Sequence, residues 1–323
     1  MPTTIVDAHH HYFATSKNPF NGFLGSLGAP DYLPEQYKKD AGSLPIVKTV
    51  HIEAMPDSGL DEAKWVESMA DSGECTVAAI VAGCNLADAD AEAQLDALKA
   101  ACPRLRGIRY IIDYDGPFDG GQNATHPNMK RHDGGIDYLR DPAPAADFER
   151  GFKALASRGL SFDLQCCPAQ MTAAAALCAR HPDVPVVIDH LGKPRHLLAD
   201  DGPEDAAKLA EWRAAMSAMA KLPQVYVKLS MLGYSVPGWH ADATKEALLR
   251  SLVNETIDLF GASRCMFASN FHINAAGSDS DFKCETGPEM AELYAKFESW
   301  VAHRSADEQA SLFSGAATTF YKL

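Results

Sequence analysis

The sequence predicts an α/β protein of the (β/α)8 TIM-barrel type. Three observations carry this expectation: eight short, apolar, β-rich runs, amphipathic stretches between most of them, and a length of 323 residues. A barrel of this kind takes roughly 250 residues plus insertions, so residues 1–323 read as one domain. Strands of a parallel sheet are covered on both faces and are therefore apolar almost throughout. A doubly wound open sheet is the alternative that the same alternation allows.

In chain order, the β-rich runs fall at 4–8, 46–52, 76–82, 105–111, 160–165, 184–189, 225–230 and 265–269. Helical patterns occupy 61–71, 88–101, 146–157, 171–180, 204–220 and 244–260. Several open on Asp or Thr, whose side chains accept from the unbonded N–H groups of a first turn. Residues 285–323 read as closing helices. Two long irregular stretches, 12–44 and 113–144, each follow a strand. In a barrel they lie over the catalytic face as lid or pocket wall. The aromatic residues of the first, Tyr12, Phe13, Phe20, Phe23 and Tyr32, either shape a pocket or pack the segment onto the barrel, and packing is the simpler role.

Composition narrows the function. The chain is 46% hydrophobic and 22% charged, which suits a soluble protein with a sizeable core. Its net charge of −14 argues against nucleic acid and anionic membrane surfaces as partners. A few local cations in a pocket still leave room for an anionic small-molecule substrate. No apolar run reaches the ~18 residues that a membrane span needs. The first residues lack the basic start and apolar core of a signal peptide, so a cytoplasmic location is expected. The eight cysteines are scattered without a CxxC pair and read as reduced, buried apolar residues. The sequence allows a homo-oligomer and sets no state.

Chemistry in a barrel sits at the C-terminal strand ends. The first run ends in Asp7-Ala8-His9-His10-His11. Side chains alternate along a strand, so His9 and His11 point one way and His10 another. Two such imidazoles can bind a divalent metal or move protons. The sixth run ends in His190, followed by Leu191, Gly192, Lys193 and Pro194. Gly192 permits a tight turn and Lys193 offers a cation. Asn270 occupies the tip of the eighth run, and His272 faces the same side if the strand continues. An ordinary loop position is equally compatible with His272. Arg109, near the tip of the fourth run, is the better anion-binding candidate than Arg106, because both cannot face inward at that spacing. His51, Glu53 and Gln165 are further polar groups at strand ends. Lys228 and Asp163 suit a buried ion pair inside the barrel, since a buried charge needs a partner. His126, Arg131 and His132 lie in the second long stretch, where a solvated loop is the simpler role.

The motifs Val6-Asp7-Ala8-His9-His10-His11, Leu105-Arg106-Gly107-Ile108-Arg109, Ile188-Asp189-His190-Leu191-Gly192-Lys193-Pro194, Val225-Tyr226-Val227-Lys228-Leu229-Ser230 and Met266-Phe267-Ala268-Ser269-Asn270-Phe271 together resemble the amidohydrolase superfamily. The likeness is to its amidohydrolase-related branch of sugar-acid and pyrone-dicarboxylate lactonases. It implies a barrel with His9, His11 and His190 at the mouth. Related lactonases carry an Asp at the end of strand 8 that activates water. Here the residue is Asn270, whose amide cannot act as a general base. Metal-binding members also use a strand-5 histidine, at the position of Gln165. The resemblance therefore implies no required cofactor. If a divalent ion such as zinc is bound, His9, His11 and His190 are its ligands.

The expected function is hydrolysis of a small, anionic cyclic ester. His9, His11, His190 and Asn270 would do the chemistry, while Arg109, Lys193, Gln165, His51 and His272 would bind substrate. Two alternatives stay open: a metal-dependent decarboxylase or hydratase, and an inactive small-molecule-binding relative.

Overall fold

A computed structural model describes residues 4–26, 28–114, 135–194, 197–198, 204–271 and 288–323. All eight expected strands are present: β1 (Ile5–His10), β2 (Ile46–Ile52), β3 (Val77–Gly83), β4 (Leu105–Arg109), β5 (Ser161–Leu164), β6 (Val186–Ile188), β7 (Val225–Leu229) and β8 (Cys265–Phe267). They pair in sequence order, all in parallel. Past β8 the chain returns to β1 through a parallel bridge between His10 and Phe271. Asn270 N also donates to His9 O and His11 N to Phe271 O, both at 2.8 Å. These contacts bring the two edges together as a (β/α)8 TIM barrel, not an open doubly wound sheet.

The boundaries differ where the barrel closes. β1 runs past residue 8 to His10, because its end pairs with His51 and with the segment beyond β8. β4 and β8 stop short of residues 111 and 269. Helix Pro142–Arg158 starts at a proline instead of at 146. Proline is tolerated there because first-turn N–H groups have no intrahelical acceptor. The stretch 12–44 is not irregular throughout. It holds helices Gly22–Ser26 and Pro34–Ala41. The second turns Tyr37 and Ala41 toward the core and forms the outer helix between β1 and β2. Of the stretch 113–144, residues 115–134 lie outside the described part, with His126, Arg131 and His132 among them.

Strand side chains divide between two cores. Ile5, Ile80, Leu105, Phe162, Val186, Val225 and Phe267 pack outward among helix residues such as Val66, Leu95, Phe148, Trp212, Leu249 and Phe297. Val6, Ala8, Val50, Ile52, Ala79, Val81, Val187, Met266 and Ala268 point inward and meet Phe320 and Tyr321 of helix Ala316–Tyr321. That helix closes the barrel floor, where Phe320 packs against Tyr226 of β7 at 4.9 Å between rings. Each large apolar side chain so buried contributes about 1.5–3 kcal/mol. Among the described residues, no helix is long and apolar enough to cross a membrane.

Candidate active site

The first strand carries an irregularity that sets the site. Asp7 pairs with Thr49, but the next register pair is His10 with His51. Three steps on β1 therefore match two on β2, and β1 has one extra residue, a β-bulge. Ala8 belongs to the inner core, so strict alternation would turn His9 outward. The bulge brings His9 inward as well, and His11 follows it. Asp7 holds this geometry from outside the barrel. Its carboxylate accepts from Ser269 N at 2.8 Å, Ser269 Oγ at 2.6 Å, Tyr37 OH at 2.7 Å and His9 N at 3.4 Å. It thereby ties the β1 bulge to the residue before Asn270. Burial raises the Asp7 pKa, although these hydrogen bonds pull it down.

The inward histidines are held through one ring nitrogen each. His11 Nδ1 lies 2.9 Å from the Ile52 carbonyl. A carbonyl only accepts, so Nδ1 carries the proton and Nε2 keeps a lone pair. Nε2 lies 3.2 Å from His9 Nε2 and 3.3 Å from Asn270 Oδ1, and its lone pair can accept from Asn270 only with the amide turned to present its NH2 group. The Lys228 ammonium sits 3.2 Å from His9 Nδ1. His190 Nδ1 meets Ser230 Oγ at 3.0 Å, and its ring lies 4.7 Å from that of His9. All three are buried. Burial holds His9 and His11 well below the ordinary imidazole pKa, with Lys228 and Arg109 respectively adding to the effect. Burial also lowers His190 to about 3, against the opposing pull of Asp189. All three are neutral imidazoles at pH 7.

Beneath and beside them lies a network of paired charges. Lys228 bridges Asp163 at 2.5 Å and Asp189 at 3.0 Å, the buried pair inside the barrel that the sequence suggests. Tyr321 on the floor donates to Asp163 at 2.8 Å. Arg109 Nε donates to Glu53 Oε1 at 2.7 Å, and its Nη2 to the Glu53 carbonyl at 2.5 Å. Its Nη1 reaches Gln165 Oε1 at 3.2 Å, Asp189 at 3.4 Å and His9 Nε2 at 3.4 Å. Gln165 passes a further bond to Asp113 at 3.3 Å, and Asp113 pairs with Lys193. Lys193 also lies 4.6 Å from the Tyr234 ring centre. Arg109 and Lys193 are thus at the mouth as expected, but each is already matched by a carboxylate of the protein.

Backbone strain concentrates at the same level. His190, Leu191, Lys193 and Asn270 all have φ between 51 and 57°, in the left-handed region. Non-glycine residues rarely adopt it, and such strain persists where surrounding contacts over-determine it. At Gly192, φ is 70°, and a Cβ would come within 2.7 Å of Met216 Sδ. The turn after β6 therefore admits no larger residue without rearrangement.

His51 needs correction as a substrate contact. Val50 and Ile52 face inward, so His51 faces outward, into the layer under helix Gly59–Asp71. Its Nδ1 accepts from Tyr12 N at 3.2 Å, and Nε2 lies 3.8 Å from Glu62. His272 lies outside the described residues. Sequence reasoning notes Glu53 at a strand end without giving it a role, and leaves Asp113 and Asp189 out of the site. Their signal is a carboxylate at or just past the end of an apolar strand, where burial demands a cationic partner.

The donor set suits a divalent metal. His9, Asp189 and His190 each present an atom within 4.8 Å of the other two. The 3.2 Å between the Nε2 atoms of His9 and His11 is also close to the spacing of two nitrogens sharing one ion at about 2.0–2.1 Å. His11 Nδ1 on the Ile52 carbonyl is the kind of outer support that orients metal-binding histidines, whereas the Lys228 ammonium at His9 Nδ1 is a donor and gives none. The nearby Lys228 and Arg109 oppose a further positive charge.

Comparison with known proteins agrees with this architecture. The protein y4mH of Sinorhizobium fredii is 30% identical, over 99% of this chain and 98% of its own. An L-fucono-1,5-lactonase of Burkholderia multivorans is 26% identical, over 100% and 97% of the two chains. A solved amidohydrolase of Burkholderia multivorans with bound zinc is 25% identical, with a TM-score of 0.73 and 99% of each chain covered. The amidohydrolase family model matches residues 6–323, which leaves out only the first five residues. By its barrel, its strand-end histidines and this match, the chain belongs to the amidohydrolase family.

Proposed function

We propose that the protein hydrolyses a lactone, with strand-end histidines managing the protons. The observation that carries this is the grouping of His9, His11 and His190, each contacted at Nδ1, with Asn270 beside His11. The likeness to L-fucono-1,5-lactonases along nearly the whole chain supports it.

In this reaction a water held by the Asn270 amide adds its oxygen to the lactone carbonyl carbon. With substrate bound, His9 Nε2–H turns from the His11 lone pair to the carbonyl oxygen, and the freed His11 Nε2 lone pair takes the water proton. Asn270 positions the water but takes no proton, because an amide is not basic. The carbonyl oxygen becomes an oxyanion beside His9 Nε2–H and Arg109 Nη1. Positioned donors of this kind are worth ~3 kcal/mol each. Collapse breaks the ring C–O bond, and the leaving oxygen takes the proton back from His11. The product is a hydroxy acid, and His11 is again neutral. A divalent cation, where bound, would be held by His9 and His190 with Asp189 or His11, and would polarise the carbonyl as a Lewis acid.

The charge pattern bears on the ring. Among the described mouth residues Arg109, Lys193 and Lys228 are matched by Glu53, Asp113, Asp163 and Asp189. An anionic ring would have to displace those carboxylates. The class favoured by this pairing is an uncharged, polyhydroxylated lactone, in place of the anionic one expected from the sequence. Proton release from a lactone panel tests this, using chelator-treated protein with and without added zinc. Neutral sugar-acid lactones should exceed dicarboxylate pyrones at least tenfold in kcat/KM. Silence on every lactone in both states would overturn the assignment.

A further inference from the structure

His9 is offered two sets of partners, and they are mutually exclusive. In one, Lys228 donates to Nδ1 at 3.2 Å and Nε2–H donates to the His11 lone pair at 3.2 Å. In the other, Nδ1–H would turn to Asp189 Oδ1, 3.5 Å away and without a hydrogen-bond partner, and Nε2 would accept from Arg109 at 3.4 Å. The first set is shorter at both nitrogens. An ammonium has no acceptor site, so Lys228 cannot stay bonded to Nδ1 once that nitrogen carries a proton. A metal ion on His9 Nε2 needs the second arrangement, because it takes the lone pair there.

We propose that Lys228 is a positioning residue that holds His9 in its Nε2–H form and so restrains divalent metal binding between the strand-end histidines. The switch requires no net gain or loss of protons. The imidazole stays neutral, its proton changes nitrogen, and the ammonium withdraws onto Asp163 and Asp189, which it already contacts at 2.5 and 3.0 Å. Asp189 Oδ1 then receives Nδ1–H, giving the carboxylate–histidine–metal support common in metal sites. The Tyr321 hydroxyl braces the device from the floor by fixing the same Asp163 oxygen that holds Lys228. This inference concerns the residues of the proposed hydrolysis but does not depend on it, since its readouts are metal binding and which imidazole nitrogen carries the proton.

The first measurement is nitrogen-15 NMR of the histidine rings in chelator-stripped wild-type protein, with the His9 signals assigned by their loss in His9→Gln. The expected metal-free pattern is Nε2–H, converting to Nδ1–H on titration with zinc chloride. A metal-free His9 already in the Nδ1–H form would overturn the proposal. The second is zinc affinity by competition with a chromophoric chelator. Lys228→Met should bind zinc about tenfold or more tightly than wild type, the scale of outer-support effects on metal sites. Lys228→Arg, which keeps the donor charge, should stay near wild type. A folded Lys228→Met with unchanged zinc affinity would overturn the proposal. If that variant does not fold, the wild-type NMR experiment decides alone.

Discussion

Two groups of buried histidines sit on opposite faces of the first two strands. His9 and His11 point into the barrel and meet His190, while His10 and His51 point out. All five are buried, so burial does not distinguish them. Surroundings do. The inner group lies among Lys228, Arg109 and Asp189, with each Nδ1 held and Nε2 near the mouth. The outer group is packed by tyrosines: His10 against Tyr12 and Tyr37 at 4.5 and 4.7 Å, and His51 against Tyr12 at 6.0 Å. His10 Nε2 is tied to Thr49 Oγ1 at 2.9 Å. Under the proposed mechanism the same side chain is thus a reactive group on one face and packing on the other, and strand phase decides which.

The sharpest way to break this contrast is to remove one histidine from each face. His11→Ala and His190→Ala should each lower kcat by about 10²–10⁴-fold, the usual worth of a proton-transfer group. His51→Ala should destabilise the fold by about 2–4 kcal/mol through the cavity it leaves, a cost the two inner variants share, but with kcat within a few-fold of wild type. Paired lactone kinetics and urea titrations read both quantities. A His51 variant as inactive as the His11 variant would erase the distinction.

Charge at the strand-8 tip gives an intermediate effect. Asn270→Asp adds a carboxylate beside His11 in a backbone conformation that Asp also tolerates. Zinc affinity should rise about tenfold or more with little change in melting temperature, measured by chelator competition and calorimetry.

The smallest effect comes from below the site. Asp163 is pushed up from 3.8 to about 6, mainly by burial, with Lys228 pulling it down and Asp189 pushing it up. The folded state therefore holds this proton more tightly than the unfolded chain. Its stabilising contribution is complete below pH 3.8 and is lost as pH rises through about 6. Asp163→Asn cannot ionise there. Its stability relative to wild type should improve steadily from pH 4 to pH 7, whatever the offset at any one pH. Parallel slopes for the two proteins would place the titration elsewhere.

Much of this was legible in the sequence because barrel strands announce themselves by apolar runs, and the order of the strand-end motifs matches the order of the strands. His9 and His11 fall on the same side as alternation predicts, but that side is the inner one only because a bulge follows inward-pointing Ala8, and no residue type marks that bulge. The phase of His51 was hidden for a related reason. Both faces of a barrel strand are apolar, so Val50 and Ile52 flank it identically whether it points in or out. Arg109 was legible as a mouth residue, but its partner Glu53 lies 56 residues away in sequence. Pairing at that distance depends on the closed barrel, and it commits Nε and Nη2 of Arg109 to Glu53. Tyr37, the outer support of Asp7, was lost with the stretch taken as irregular.

The left-handed backbone at Asn270 has an evolutionary consequence. With φ at 56°, the position is hospitable to glycine, asparagine and aspartate and to few other residues. Asparagine and aspartate codons differ by a single base. At this point one base change therefore exchanges an amide for a carboxylate of nearly the same shape, in a backbone conformation that both tolerate.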